Sequence, residues 1–329
     1  MLAAAYRRNG PPVETIELVE VEPGKPGAGE ALVAVEAAPV HIADLLYIEG
    51  RLELAPPPPA IAGIEGVGRV VATGPGVTGL ESGQRVLLPR RCGTFTQQLR
   101  LDADRLVPVA DHGDPVQLSL VPINVATSYL LLTGVVHLEP GEWFIQNAAN
   151  SSCGRFNIQI AKRLGLHSVN VVRRESLIDE LEEAGGDVVL LDGEDLADRV
   201  RAATDGAAIR YAIDAVAGAA VTRLAHCLAT GGVIANYGLL SGEPCTIPAE
   251  LLFINNLRLQ GFLTPHYETH LSPAESTAML QRLAGWVADG ELHAKIAATY
   301  PLRDIREALA HEMLTGAARD GKVIVLPNG

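Results

Sequence analysis

The stretch GEWFIQNAANSSCGRFNIQIAKRLGLHSVNVVRR, residues 141–174, decides how the chain is read. It joins a short run that is apolar at nearly every position (WFIQNA), a turn of small residues, a helix-forming segment (RFNIQIAKRLG) and a second apolar run (SVNVVRR). Runs that are apolar on both faces belong to strands buried in a parallel sheet, and parallel strands need a crossover of helical length between them. The alternation continues through DVVLLDG, YAIDAVAG and GGVIANYG, with AVTRLAHCLAT among the intervening helical segments. Residues 119–264 are therefore expected to form a doubly wound parallel sheet of the α/β class.

The turn inside the opening stretch carries the first chemistry. WFIQNA runs into Ala149-Asn150-Ser151-Ser152-Cys153-Gly154, and on the fingerprint G-x-G-x-x-G the three glycine positions fall at Ala149, Ser151 and Gly154. Only the third glycine is kept. The surroundings are still those of a dinucleotide site, because the N-terminal amides and dipole of the following helix suit a pyrophosphate and small residues let it approach the backbone. Asn147, Ala149, Asn150, Ser151, Ser152, Cys153 and Gly154 are the candidate contacts; an ordinary strand-to-helix turn is the alternative. Cys153 beside a helix N-terminus reads either as a redox-sensitive thiol or as a buried packing residue.

The end of the next strand selects the cofactor. An acidic residue there would take a ribose 2′-hydroxyl, whereas arginine accommodates a 2′-phosphate through its bidentate fork. SVNVVRR ends in Arg173 and Arg174, which points to NADPH, although Glu175 follows directly. Ligands of open α/β sheets lie at the carboxyl ends of the strands, which adds Val216 after YAIDA and Tyr237 and Gly238 after GGVIAN.

The first 118 residues read differently. ETIELVEVE, EALVAVEAAPV, GVGRVVATG and GQRVLLP are short strands separated by Gly and Pro, and the run Pro56 to Pro59 can be only a stiff surface loop. After a helix at MLQRLAGWVADG, the closing strand GKVIVLP is expected to return residues 265–329 to this β-rich domain. A chain of 329 residues that is 48% apolar can bury two such cores. Its net charge of −13 opposes nucleic acid and anionic membrane surfaces as partners. The four cysteines show no zinc or disulfide spacing, and neither a secretory h-region nor a long apolar span is present, so a cytoplasmic protein with reduced thiols is expected.

These segments together resemble the medium-chain dehydrogenase/reductase superfamily. Residues 141–174 look like the nucleotide-binding segment of mitochondrial-type 2-enoyl thioester reductases, and LLFINNLRLQGFLTPHY is similar to that family's segment returning to the catalytic domain. GIEGVGRVVATG, GLESGQRV and PINVATSYLLL match the wider superfamily, which includes quinone oxidoreductases. The resemblance implies a Rossmann NADPH-binding domain plus a GroES-like catalytic domain, a homodimer with GGVIANYG and the residues after it near the interface, and hydride transfer to an activated C=C bond of an enoyl thioester. Quinone or enone reduction is the alternative activity, and a noncatalytic NADPH-binding redox sensor is the alternative of another class.

Members that bind zinc carry Cys in an early C-x-x-D segment and His in G-H-E. The matching segments here are His41-Ile42-Ala43-Asp44 and Gly63-Ile64-Glu65, and isoleucine has no lone pair, so no metal is expected. Related reductases use a tyrosine at the position that holds Leu52 in this chain. Tyr47 and His41 then stand as candidate proton donors, and Asn124 and Thr127 as groups that orient substrate or cofactor. The resemblance adds Phe262, Leu263 and Lys322 as cofactor contacts. Phe156, at the start of the phosphate-binding helix, stands where the family has smaller residues, and its ring must either repack or narrow the cofactor site.

Overall fold

The computed structural model describes residues 1–52 and 56–329. The chain divides into two compact units, Asn124–Ser272 and a second formed by Met1–Ile123 with Pro273–Gly329.

The unit Asn124–Ser272 holds the sheet that the opening stretch predicts. Six parallel strands lie in the order Val188–Leu191, His167–Val172, Trp143–Gln146, Tyr211–Asp214, Val233–Asn236 and Arg258–Gly261. Phe144, Ile145, Val169, Tyr211, Ala212, Ile213, Val233, Ile234 and Ala235 are all buried, as near-continuous apolar strands require when both faces are covered. Phe156 is absorbed by repacking: its ring is fully buried on the helix Ser152–Leu164. Burial of such a ring is worth about 1.5–3 kcal/mol.

Two features differ from the expectation. Arg258–Gly261 is a sixth strand, and it forms one edge of the sheet. The unit also runs past residue 264, because the helix Thr264–Glu268 packs on Ala126–Gly134. Thr127 Oγ1 lies 2.7 Å from Thr264 Oγ1, and Phe262 stacks on Tyr267 at 4.4 Å.

The other unit is built on the long strand Glu30–Pro39. Val67–Thr73 and Gln98–Asp102 pair with it antiparallel, and Lys322–Leu326 joins it at its far end, so the last strand does return to the β-rich domain. A separate three-stranded sheet is formed by Leu2–Tyr6 with Ile16–Glu20 and Ala60–Ile61. Alternating residues of the long strand, Ala31, Val33 and Val35, share a core with Ile48, Val86, Phe95, Val323 and Val325. Pro56 to Pro59 is a largely exposed loop.

Register places the site residues of this unit. Val40 N donates to Val323 O at 2.9 Å, which sets the start of the last strand beside His41. The helix Ile42–Glu49 then begins, held by Asp44 Oδ2, which accepts from His41 N at 2.9 Å. It ends at Gly50 in the left-handed conformation.

Candidate functional site

In the unit Asn124–Ser272, the strand Trp143–Gln146 leads into a turn whose geometry explains the one glycine kept. A Cβ on Gly154 would lie 2.5 Å from Ala149 O and 2.7 Å from Ala149 Cα, closer than side chains tolerate. Ser151 is the N-cap, and its hydroxyl accepts from Gly154 N at 3.1 Å. The helix has 13 residues, and its dipole favours negative charge at that end. Gln146 anchors the turn from beneath: its Nε2 donates to Gly154 O at 2.9 Å and to Asn170 Oδ1 at 2.7 Å.

A buried carboxylate missing from the sequence reading fixes the neighbouring strand ends. Asp214, wholly buried, accepts from Asn147 Nδ2, from Asn236 Nδ2 at 2.6 Å and from Ala217 N at 3.0 Å. Asn147 Oδ1 accepts from Ala215 N at 2.8 Å. Asn147, expected as a cofactor contact, bonds the adjacent strand end through both ends of its amide. Ala148 and Ala217, with φ of 48° and 64°, are non-glycine residues in the left-handed region at these two strand ends. Such backbone costs of order 1–3 kcal/mol and gathers at functional sites. Gly238 is close-packed too, since its Cβ would meet Ala215 O at 2.5 Å.

Four predicted residues come together here. Asn124 Nδ2 lies 3.5 Å from Cys153 Sγ, and Ser128 Oγ donates to Cys153 O at 3.0 Å. Burial raises the Tyr237 hydroxyl well above its ordinary range, Cys153 adds to that rise, and a hydrogen bond with Ser151 opposes it. Asn124 Oδ1 is buried without a partner among the described residues, an acceptor left open beside the turn. Cys153 is 8% exposed, which fits the packing role. Arg173 is exposed and Arg174 half-buried at the end of His167–Val172, and among the described residues neither forms an ion pair. Phe262 is buried, whereas Leu263 is 40% exposed.

The unit formed by Met1–Ile123 with Pro273–Gly329 holds a cluster of buried ionisable groups. His41 Nε2 bonds Glu65 Oε1, and His41 Nδ1 lies 3.1 Å from Lys322 Nζ. Lys322 Nζ also donates to Val40 O, and Glu65 Oε2 accepts from Ile123 N at 2.6 Å. Burial pushes Glu65 up to about 8 against the pull of Lys322, and pushes Asp44 up to about 7 against its backbone hydrogen bond. Burial and then Lys322 hold His41 well below its usual range. Lys322, expected at the cofactor, is thus tied to His41. Tyr47 is buried against a small cavity lined by Tyr6, Asp44, Gly63, Ile64 and Arg91, and Leu52 is half-buried.

This donor set does not fit zinc. Both ring nitrogens of His41 are engaged by Glu65 and Lys322, and Ile64 offers no donor. Among the described residues no three His, Cys, Asp or Glu side chains converge to hold an ion.

Comparison with known proteins adds to this geometry. Residues 153–284 match the zinc-binding dehydrogenase family and residues 27–111 the alcohol dehydrogenase GroES-like domain. The mitochondrial enoyl-[acyl-carrier-protein] reductase of Rattus norvegicus is 32% identical over 317 residues, covering 94% of this chain and 85% of the relative. The chain belongs to the medium-chain dehydrogenase/reductase superfamily. The corresponding Caenorhabditis elegans reductase is 33% identical, covering 91% of this chain and 88% of its own. Among solved structures, a candidate NADPH:quinone reductase from Bacillus thuringiensis superposes with a TM-score of 0.89 at 26% identity, covering 99% of this chain and 98% of that one. The two units are accordingly the superfamily's GroES-like domain and its Rossmann-like sheet. No helix among the described residues is long and apolar enough to cross a membrane.

Proposed function

We propose that this chain is an NADPH-dependent, zinc-independent reductase of an activated C=C bond, with a 2-enoyl thioester as substrate class. The observation that carries the reading is the turn 147–154, a close-packed anion site at a helix N-terminus, with two unpaired arginines at the end of the neighbouring strand. The names of the rat and nematode relatives supply the substrate class.

A reduced nicotinamide would supply the hydride; the remaining work falls to the chain. Ser151, Ser152 and the first-turn amides would hold the pyrophosphate, and Arg173 and Arg174 the 2′-phosphate. Ala149, Asn150, Val216, Gly238, Phe262 and Leu263 would frame the cofactor. The open Asn124 Oδ1 would accept from an N–H of the bound pair, and Thr127 would orient the substrate carbonyl. The protein would work as a homodimer through the exposed edge strand Arg258–Gly261, where Leu259 is 39% exposed, with Phe253 and Ile254 of the preceding segment at 74% and 67%.

Leu52, where related reductases carry tyrosine, favours a second reading: a quinone or enone, whose oxyanion water can protonate. Steady-state turnover of crotonyl-CoA, longer enoyl-CoAs and a naphthoquinone with NADPH decides. Thioester reduction is expected; quinone turnover alone would overturn the substrate class, and tight NADPH binding without any hydride transfer would make the chain a redox sensor.

A further inference from the structure

Beneath the nucleotide turn lies a chain of three buried amides. Gln146 closes the strand Trp143–Gln146, Asn170 stands opposite it in the register of His167–Val172, and Asn157 belongs to the helix Ser152–Leu164. None of the three is more than 1% exposed. Apolar packing holds a helix on a sheet but is non-directional, so it leaves the rotation of the helix loosely set. Amides are directional, and here both ends of the chain settle which way each one points. Asn170 Nδ2 lies 3.2 Å from Val188 O, a carbonyl that can only accept, so Asn170 turns its Oδ1 to Gln146. Gln146 Nε2 donates to that oxygen at 2.7 Å and to the carbonyl of Gly154 at 2.9 Å. Its Oε1 is left to accept from Asn157 Nδ2 at 2.8 Å.

Gln146 therefore grips the helix at two positions three residues apart, which share one helix face. Gly154 is held at both ends of its backbone, since its N–H donates to the N-cap Ser151 at 3.1 Å and its carbonyl accepts from Gln146. The helix can neither slide nor rotate and keep both bonds. This arrangement is not the most stable one available. Asn157 Oδ1 is buried without a partner among the described residues, and a buried acceptor left unmade is costly. An apolar side chain at 157 would avoid that cost and would also release one of the two grips.

We propose that Gln146, acting with Asn157, is the positioning residue of the nucleotide turn, holding Ser151, Ser152 and Gly154 in the placement that receives the cofactor's phosphates. This role rests on the NADPH reading above. Both amides are sealed from solvent, so they act through the turn rather than on the ligand, and a turn already in place loses no binding energy to ordering.

Asn157→Leu is the discriminating variant. It removes the unpartnered acceptor along with the Gln146 contact, so the melting temperature should move by less than about 3 °C. The Kd for NADPH, titrated by fluorescence well below the melting transition, should nevertheless rise about five- to tenfold. Gln146→Met should weaken NADPH by about tenfold or more and also lower the melting temperature, because Asn170 Oδ1 loses its donor. With crotonyl-CoA as acceptor, both variants should raise the KM for NADPH while kcat at saturating NADPH stays within about twofold of wild type. Adding Asn157→Leu to Gln146→Met should change Kd no further, since the contact is already gone.

A wild-type Kd in Asn157→Leu would overturn the assignment. So would a Gln146→Met protein that melts earlier with Kd and KM unchanged, which makes Gln146 a packing residue, or one that loses kcat at saturating NADPH. If Gln146→Met does not fold, Asn157→Leu decides alone. A wild-type protein that does not bind NADPH sinks the cofactor reading instead. The amide chain is then judged separately in the full-length 15N-labelled protein, where the side-chain N–H pairs of Gln146 and Asn170 should outlast exposed amides in D2O. Exchange as fast as that of exposed amides refutes the grip whichever way the cofactor reading falls.

Discussion

Gly154→Ala is the sharpest perturbation of the nucleotide turn. The added Cβ would lie 2.5 Å from Ala149 O and 2.7 Å from both Ala149 C and Cα, all backbone atoms. No rotamer change relieves that contact, so the turn and the helix must part by roughly half an ångström to reach the shortest distances tolerated in packed interiors. Overpacking of this kind costs about 1–3 kcal/mol, and the helix-propensity gain of alanine over glycine returns at most about 1 kcal/mol. The clash wins. For a unit of this size the melting temperature should fall by roughly 3–10 °C. Because the displaced atoms are the proposed phosphate cradle, NADPH should also bind about five- to a hundredfold more weakly, at a decade per 1.4 kcal/mol. Differential scanning fluorimetry and calorimetric titration of NADPH read the two effects separately. A lowered melting temperature with wild-type affinity would refute the turn as the cofactor site, and no change in either would refute the packing argument itself.

Arg173→Ala should weaken NADPH by tenfold or more while NADH affinity changes little; equal loss of both in fluorescence titration would sink the 2′-phosphate role. Asp44, raised to about 7, keeps a proton in the folded state that the unfolded chain has released above its ordinary carboxylate range. The stability tied to it is complete below about pH 4 and is lost as pH rises towards 7, by on the order of 4 kcal/mol at most. Urea melts across that window should show a flatter slope for Asp44→Asn, and a slope equal to wild type counts against a protonated buried Asp44. Leu259→Asp on the edge strand should convert a dimer to a monomer in light scattering, with the thermal transition of the unit retained; a dimer that survives the substitution places the interface elsewhere.

Legibility in the sequence followed burial. The other five strands, four of them inner, could be read because they are apolar at nearly every position, as WFIQNA and YAIDA are. The sixth, Arg258–Gly261, was hidden because it is a short edge whose residues are mostly exposed, leaving no apolar run to see. Within the nucleotide turn, Ser151 and Gly154 were legible from local spacing alone. Asp214 was not: a lone acidic residue closing YAID looks like the start of a solvated loop, and only the convergence of Asn147 and Asn236 on it reveals a buried anchor.

Lys322 marks the physical limit of such reading. Its partner His41 lies 281 residues away, and their contact exists because the last strand hydrogen-bonds Val40 through Val323. One step of strand register would turn Lys322 to the opposite face and leave His41 Nδ1 without its donor. The contact is therefore a property of tertiary pairing, written in neither the HIAD segment nor GKVIVL alone. His41, a candidate proton donor by its side-chain type, has both ring nitrogens engaged, by Glu65 and by Lys322.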